Sequence, residues 1–340
     1  MPRCGSQCTL CDLPISFDTY KGCTHACSYC FVKRKKDISE VDFGESADSL
    51  LNFIKGKRDQ KTKWCDWQIP IHWGGMSDPF QPAEAIHRRS LECLKVLEKT
   101  QYPFLVSTKG RLAVEEPYLG LLSRCNCVVQ VSLVCPSFDK FEPGCPPYAE
   151  RLEMIRKLSK NVKRVIVRIQ PYMLQYFKEV NQSIKDVAEA GAYGVIVEGM
   201  KFIKKQRNTV KVGGDWCYRY EDIKAHFDSL KKTAHNCGIK IYAGENRLRR
   251  FGDSLTCCGV DGLEGFVPNT YNLNHIINGD EVEPTERMKQ VGTAMCFVTL
   301  EQDTVSSNAL KKRSFASKMQ DYATKKREQQ LEIFGFKRPS

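Results

Sequence analysis

The stretch from Gly22 to Cys30, GCTHACSYC, sets Cys23, Cys27 and Cys30 at Cys-x3-Cys-x2-Cys spacing. Thiolates this close together can grip three corners of a cubane iron–sulfur cluster, which ordinarily takes four cysteines. Three protein ligands leave one iron open, as a catalytic metal site does and a closed structural site does not. A related spacing precedes it: Cys4, Cys8 and Cys11 in CGSQCTLC. Far downstream, adjacent Cys257 and Cys258 in SLTCCGVDG offer a fourth ligand. Cys4, Cys8, Cys11 and one of Cys257 or Cys258 then read as a second, closed site, either an auxiliary iron–sulfur cluster or a structural zinc. The alternative for this set is a terminus carrying free thiols.

The compartment decides how 17 cysteines in 340 residues are read. The N-terminal Met-Pro-Arg-Cys has no charged-then-apolar signal pattern, and no apolar run is long enough to cross a bilayer. The expectation is a cytoplasmic protein without a membrane partner. In a reducing compartment clustered cysteines point to metal rather than to disulfides. Scattered ones such as Cys65 and Cys93 read as small core residues. The formal charge of +12 gathers in Lys33–Lys36, Lys201–Lys211, Lys311–Arg313 and Lys325–Arg327. Each run alone reads as a solvated surface. Together they lean towards a polyanion such as nucleic acid.

The elements that must position these residues alternate from strand to helix. Apolar runs at Ile15–Tyr20, Ile69–Trp73, Phe104–Val106, Val128–Val134, Val165–Ile169, Val195–Val197 and Ile239–Ala243 predict strands. Helical patterns fall at Ala83–Lys99, Val114–Leu122, Tyr148–Leu158, Ile184–Ala190 and Tyr220–Asn236. Such alternation means a parallel sheet with crossover helices. The predicted fold is α/β, a partial (β/α)6 TIM-type barrel. Residues 1–14 form an N-terminal cysteine segment and 15–245 the barrel. Residues 246–305 form an irregular C-terminal extension with Cys257 and Cys258, and 306–340 a basic helical tail. Chemistry in such folds sits at the C-terminal strand ends. There the sequence places Lys109, Ser132, Cys135, Arg168, Glu198 and Glu245. Arg168, flanked by Val167 and Ile169, needs an anionic partner if it is buried. That partner is either a ligand or an internal salt bridge.

FDTYKGCTHACSYCF resembles the cluster loop of radical S-adenosylmethionine (SAM) enzymes in the spore photoproduct lyase-like branch, with Asp18, Tyr20, Gly22 and Tyr29 matching its flanking pattern. GGMSDPFQPAE (74–84), VSTKGRL (106–112) and Ser132-Leu133 with FEPGCPPYAERL (141–152) follow in the order and spacing of that branch. The resemblance covers about residues 15–200. The later GENRLRRFGDSLTCCGVDGLEG does not match the lyase.

The resemblance implies a [4Fe–4S] cluster on Cys23, Cys27 and Cys30, with SAM on the open iron. It implies reductive cleavage to a 5′-deoxyadenosyl radical, and an electron donor such as flavodoxin or ferredoxin. It makes Tyr29, Gly74, Gly75, Lys109, Ser132 and Arg168 SAM-contact candidates. Cys135 becomes a candidate hydrogen donor of the lyase type, with Cys145 as its alternative. The substrate reading is nucleic acid or a nucleotide derivative. The alternatives are a radical SAM enzyme for a peptide or small metabolite, and a non-catalytic, metal-stabilised nucleic-acid-binding protein.

Overall fold

Strands with apolar residues on both sides form where both faces of a sheet are covered. The computed structural model describes residues 1–4, 11–34, 37–56, 69–212, 215–270, 272 and 275. In chain order the elements begin with β1 (Arg3–Cys4), β2 (Ile15–Phe17), β3 (Tyr20–Lys21), β4 (Asp42–Phe43), α1 (Ala47–Ile54) and β5 (Ile71–Trp73). Next come α2 (Glu84–His87), α3 (Arg89–Thr100), β6 (Phe104–Thr108), α4 (Tyr118–Arg124), β7 (Cys127–Ser132), α5 (Tyr148–Ser159) and β8 (Arg164–Tyr172). The last are α6 (Phe177–Glu189), β9 (Gly194–Gly199), β10 (Thr209–Val212), β11 (Asp215–Tyr218), α7 (Tyr220–Asn236) and β12 (Lys240–Ala243).

The main sheet runs β1-β2-β5-β6-β7-β8-β9-β12. β1 is antiparallel to β2, and every later neighbour pairs in parallel. Seven parallel strands therefore curve into an open, partial TIM-type barrel. The predicted first strand divides into β2 and β3, because β3 turns away to pair with β4. The predicted Ala83–Lys99 helix breaks at Arg88, which is left-handed at φ +52°. Glu84 explains the break. Its buried carboxylate accepts the Ser90 and Leu91 amides at 2.9 and 2.8 Å, satisfying free donors at the start of α3. The 306–340 tail lies outside the described residues.

Strand side chains alternate between faces, and the two faces differ here. One carries Trp73, Val106, Val129, Val167 and Val197 into the layer shared with the helices. The opposite face carries Leu105, Val128, Ile166, Ile196 and Tyr242. These are covered by Leu13 and by Cys258, Val260 and Phe266 of the C-terminal extension. Gly259 makes that approach possible: at its φ of +72°, a Cβ would lie 2.5 Å from Ile166 Cδ1. Two residues further along the strands this face turns polar.

Candidate active site

The cysteine loop leaves β3 at Gly22, where φ is +109° and a Cβ would lie 2.1 Å from the Glu40 carbonyl oxygen. Only glycine fits there. Gln81 accepts from the Thr24 amide at 2.9 Å and donates to the Gly22 carbonyl at 3.1 Å. His25 is held at both ring nitrogens, Nε2 by Asp78 at 3.0 Å and Nδ1 by the Gly144 carbonyl at 2.9 Å. The Ser28 amide donates to the Phe141 carbonyl at 2.8 Å, and the Gly144 amide to the His25 carbonyl at 3.1 Å. Asp78 also accepts from Thr108 Oγ1 at 2.7 Å and the Lys109 amide at 2.6 Å. One carboxylate thus ties the loop to the ends of β5 and β6. Burial opposes charge on both partners, yet Asp78 outweighs it and holds His25 above its ordinary value. Asp78 is held below its own, chiefly by His25 against the same burial.

A second polar knot backs the loop. The Tyr29 hydroxyl donates to Glu142. Arg151 NH2 stands 2.6 Å from Glu142, and Lys109 Nζ stands 3.9 Å from it. Burial drives the Tyr29 phenol up. Burial alone would lower Lys109, but Tyr29 and Glu142 keep it well above its ordinary value. Lys109, expected as a holder of the SAM carboxylate, has Glu142 as its charged partner in this structure. The reason is that FEPGCPPYAERL brings its acid beneath the end of β6.

Cys23, Cys27 and Cys30 are all half-buried, open enough to meet a ligand. Burial and nearby Asp78 push the Cys23 thiol up to about 12. Cys27 is lowered to about 6, first by a hydrogen bond from Cys145, whose Sγ is 3.8 Å away, and further by Lys109. Among the described residues no three His, Cys, Asp or Glu side chains close round a single metal ion. Half-open cysteine thiols are the donors that a cubane iron–sulfur cluster takes. Beside the loop, Gly74 is left-handed at φ +86°, and a Cβ there would lie 2.5 Å from the Ser107 carbonyl. At Gly75 a Cβ would meet nothing within 4 Å, so space opens there. Asp18 fixes this turn by accepting the Met76 and Ser77 amides at 2.9 and 3.1 Å.

The polar half of the open face adjoins this space. His72 Nε2 lies 3.1 Å from Ser107 Oγ, and Ser107 donates to Gln130 Oε1 at 3.1 Å. Arg168 NH1 donates to the same oxygen at 3.0 Å, and its Nε donates to Gln170 Oε1 at 3.1 Å. Arg168 therefore rests on neutral amides. Among the described residues it has no carboxylate, so neither salt bridge nor full burial accounts for it. Burial, then the Arg168 charge, lowers His72 to about 3 and keeps it neutral. Ser132 shares this face by alternation, and its carbonyl accepts Arg151 NH1 at 2.9 Å.

Cys135 does not join them. It is 1% exposed in the helix-side core, where burial and Glu179 of α6 raise it to about 12. Three residues past β7, Cys135 leads into the tight turn Pro136–Phe141, and its thiol donates to Glu179 of α6. Cys145 is the thiol that faces the loop. His25, Asp78, Gln81, Glu84, His72 and Gln130 were not singled out from the sequence. His25, Asp78, Gln81 and Glu84 stood within quoted motifs, but their roles show only in three dimensions.

The second cysteine set converges in part. The Cys257 and Cys258 Sγ atoms are 3.9 Å apart, and Cys11 hydrogen-bonds Cys258. Buried Arg249 faces Cys257 and Asp12, and among the described residues its Nε has no hydrogen-bond partner. Cys8, and the side chain of Cys4, lie outside the described residues. Of the basic runs, Lys201 pairs with Glu198 at 2.6 Å. Lys204, Lys205, Arg207 and Lys211 are exposed on the insert after β9, with no carboxylate at ion-pair distance among the described residues.

No family model matches the chain. The fold is an open α/β partial barrel shared with solved SAM-binding proteins. A spore photoproduct lyase variant with bound AdoMet and dinucleoside spore photoproduct superposes with a TM-score of 0.54 at 16% identity, over 68% of this chain and 76% of that one. Streptococcus suis SuiB bound to S-adenosylmethionine gives 0.50 at 10% identity, over 68% of this chain and 50% of that one. At these identities the likeness is one of fold. In sequence, the uncharacterized Mycobacterium tuberculosis protein Rv2578c is 25% identical over 195 residues, 53% of this chain and 57% of that protein. ORF301 of Acidianus two-tailed virus is 27% identical over 170 residues, 44% of this chain and 53% of that one. The chain thus spans about half the length of the curated relatives it matches. Among the described residues, no helix is long and apolar enough to cross a membrane.

Proposed function

We propose that the protein is a radical SAM enzyme acting on nucleic acid or a nucleotide derivative. One observation carries the reading: a braced three-cysteine loop stands at the C-terminal strand ends beside the polar row of His72, Ser107, Gln130 and Arg168. Cys23, Cys27 and Cys30 would hold a [4Fe–4S] cluster. When bound, it supplies one-electron cleavage of SAM to a hydrogen-abstracting 5′-deoxyadenosyl radical. The chain's own part is placement. Gly75 leaves room for the ligand, and Arg168 offers its guanidinium to an anionic group. Neutral His72 adds no second charge, and the Lys109–Glu142–Arg151 knot keeps the loop from shifting.

The substrate class rests on charge. Lys204, Lys205, Arg207 and Lys211 form an exposed basic run, without a carboxylate partner among the described residues, on the insert that follows β9, beyond a strand end. SuiB has also been solved with precursor peptide SuiA, so the fold alone does not choose between peptide and nucleic acid. A ferredoxin- or flavodoxin-type donor would supply the electron. Cys11 with Cys257 or Cys258, completed by Cys4 and Cys8, would hold a second iron–sulfur cluster or a zinc. Anaerobic reconstitution followed by iron and sulfide counting and electron paramagnetic resonance tests the reading. A reduced-cluster signal that changes on adding SAM and vanishes in Cys27→Ala supports it. A wild-type protein that binds no iron sinks it.

A further inference from the structure

The cysteine loop lies against a fourth thiol that a three-cysteine cluster does not need. Cys145 Sγ is 3.8 Å from Cys27 Sγ, and both side chains are half-buried, within reach of small solutes. This proximity is built by the backbone. The Ser28 amide bonds the Phe141 carbonyl at 2.8 Å, the Gly144 amide bonds the His25 carbonyl at 3.1 Å, and the Cys145 amide bonds the Glu142 carbonyl at 2.9 Å. At Gly144 a Cβ would lie 2.5 Å from the Thr24 carbonyl oxygen, so the two segments touch without a side chain between them. The thiols need close by only the last step to the ~2.05 Å of a disulfide.

We propose that Cys27 and Cys145 form a reversible disulfide whenever the loop carries no cluster, a redox latch that withholds one of the three loop ligands. This rests on the reading that the loop is a cluster site. The chemistry balances with a peroxide as oxidant. Cys27 sulfur attacks a peroxide oxygen, giving a sulfenic acid and one water. Cys145 sulfur then displaces the sulfenic oxygen as a second water, so two thiols and one hydrogen peroxide yield one disulfide and two waters. A dithiol reverses the step by exchange and leaves as its own disulfide. The latch spares Cys27 the irreversible sulfinic state and blocks iron uptake until reducing conditions return. Bound iron would occupy the Cys27 sulfur, so the loaded protein is exempt.

The test uses the full chain, stripped of iron by a chelator without oxygen, exposed to hydrogen peroxide, alkylated and mapped by mass spectrometry without reduction. The expected result is a Cys27–Cys145 linked peptide, with iron uptake at the loop, read by its SAM-responsive reduced-cluster signal, lost and then restored by dithiothreitol. Cys145→Ser and Cys145→Ala should give no linked peptide, accumulate Cys27 sulfinic acid, and fail to recover iron uptake. An oxidised wild type without the linked peptide, or variants that recover iron uptake as fully as wild type, would overturn the proposal. A linked peptide in a chain that never takes up iron, even before oxidation, would support the latch chemistry while sinking the cluster reading.

Discussion

His25, inside the cysteine loop, and Asp78, beyond the end of β5, stand 3.0 Å apart with both side chains buried. The pair makes the loop's attachment depend on pH. His25 is raised above its ordinary 6.5, so its contribution to stability is complete below that value. It is lost as pH climbs through the higher folded value. Asp78 is lowered from 3.8, so its contribution holds above that value and fails as pH falls through the lower folded one. In the cluster-free protein, the urea midpoint of wild type minus that of His25→Gln should be large from about pH 4 to 6 and shrink towards alkaline pH. A flat difference would show that the pair carries no charge.

Glu142 is 2% exposed between two cations and a phenol. Glu142→Ala leaves Lys109 with no carboxylate at ion-pair distance among the described residues, and leaves Arg151 with Asp139 alone, 3.0 Å away. The expected loss is about 3–5 kcal/mol in urea unfolding. Glu142→Gln should also destabilise, because an amide cannot balance both cations. A loss under about 1 kcal/mol would mean that the knot is ornamental.

Gly74 and Gly75 should behave oppositely. At Gly74 the left-handed backbone and the nearby Ser107 carbonyl both reject a Cβ. Gly74→Ala should therefore cost about 1–3 kcal/mol of stability. Gly75→Ala enters open space and should change stability by no more than ~0.5 kcal/mol. If SAM occupies that space, calorimetry should nevertheless show weakened SAM binding to the reconstituted Gly75→Ala protein. Equal affinity to wild type would remove Gly75 from the ligand site.

The basic insert should govern binding to single-stranded oligonucleotides. Replacing Lys204, Lys205 and Arg207 with Glu removes three exposed cations that have no carboxylate partner among the described residues. The slope of log affinity against log salt should fall by about 2, roughly 0.7 for each lost phosphate contact on a single strand. Unchanged affinity and slope in fluorescence anisotropy would point to the peptide alternative.

How far the sequence reached can be seen residue by residue. α7 matches its predicted Tyr220–Asn236 bounds, because a long amphipathic period leaves little ambiguity. The parallel order was equally legible from strand–helix alternation. The Ala83–Lys99 helix was not, since its break depends on a buried Glu84 that caps the second part. The antiparallel β10–β11 pair was missed, β10 because it starts inside a run read only for its charge and β11 because it lies just beyond that run. Arg168 was flagged by its apolar neighbours, but its neutral amide partners come from β7 and from its own strand. Lys109 was visible as a strand-end cation, whereas Glu142 lies 33 residues later (142 − 109) and reaches it only through the fold.

The central claim is that Cys23, Cys27 and Cys30 hold a cluster that cleaves SAM. The most direct measurement is 5′-deoxyadenosine formed by the reconstituted protein with SAM and dithionite under strict exclusion of oxygen. Wild type should form it, while Cys27→Ala, and the triple variant in which Cys23, Cys27 and Cys30 are all replaced by Ala, should form none. A wild-type protein that carries iron and sulfide in full yet forms no 5′-deoxyadenosine, or a triple variant that forms as much as wild type, would contradict the account.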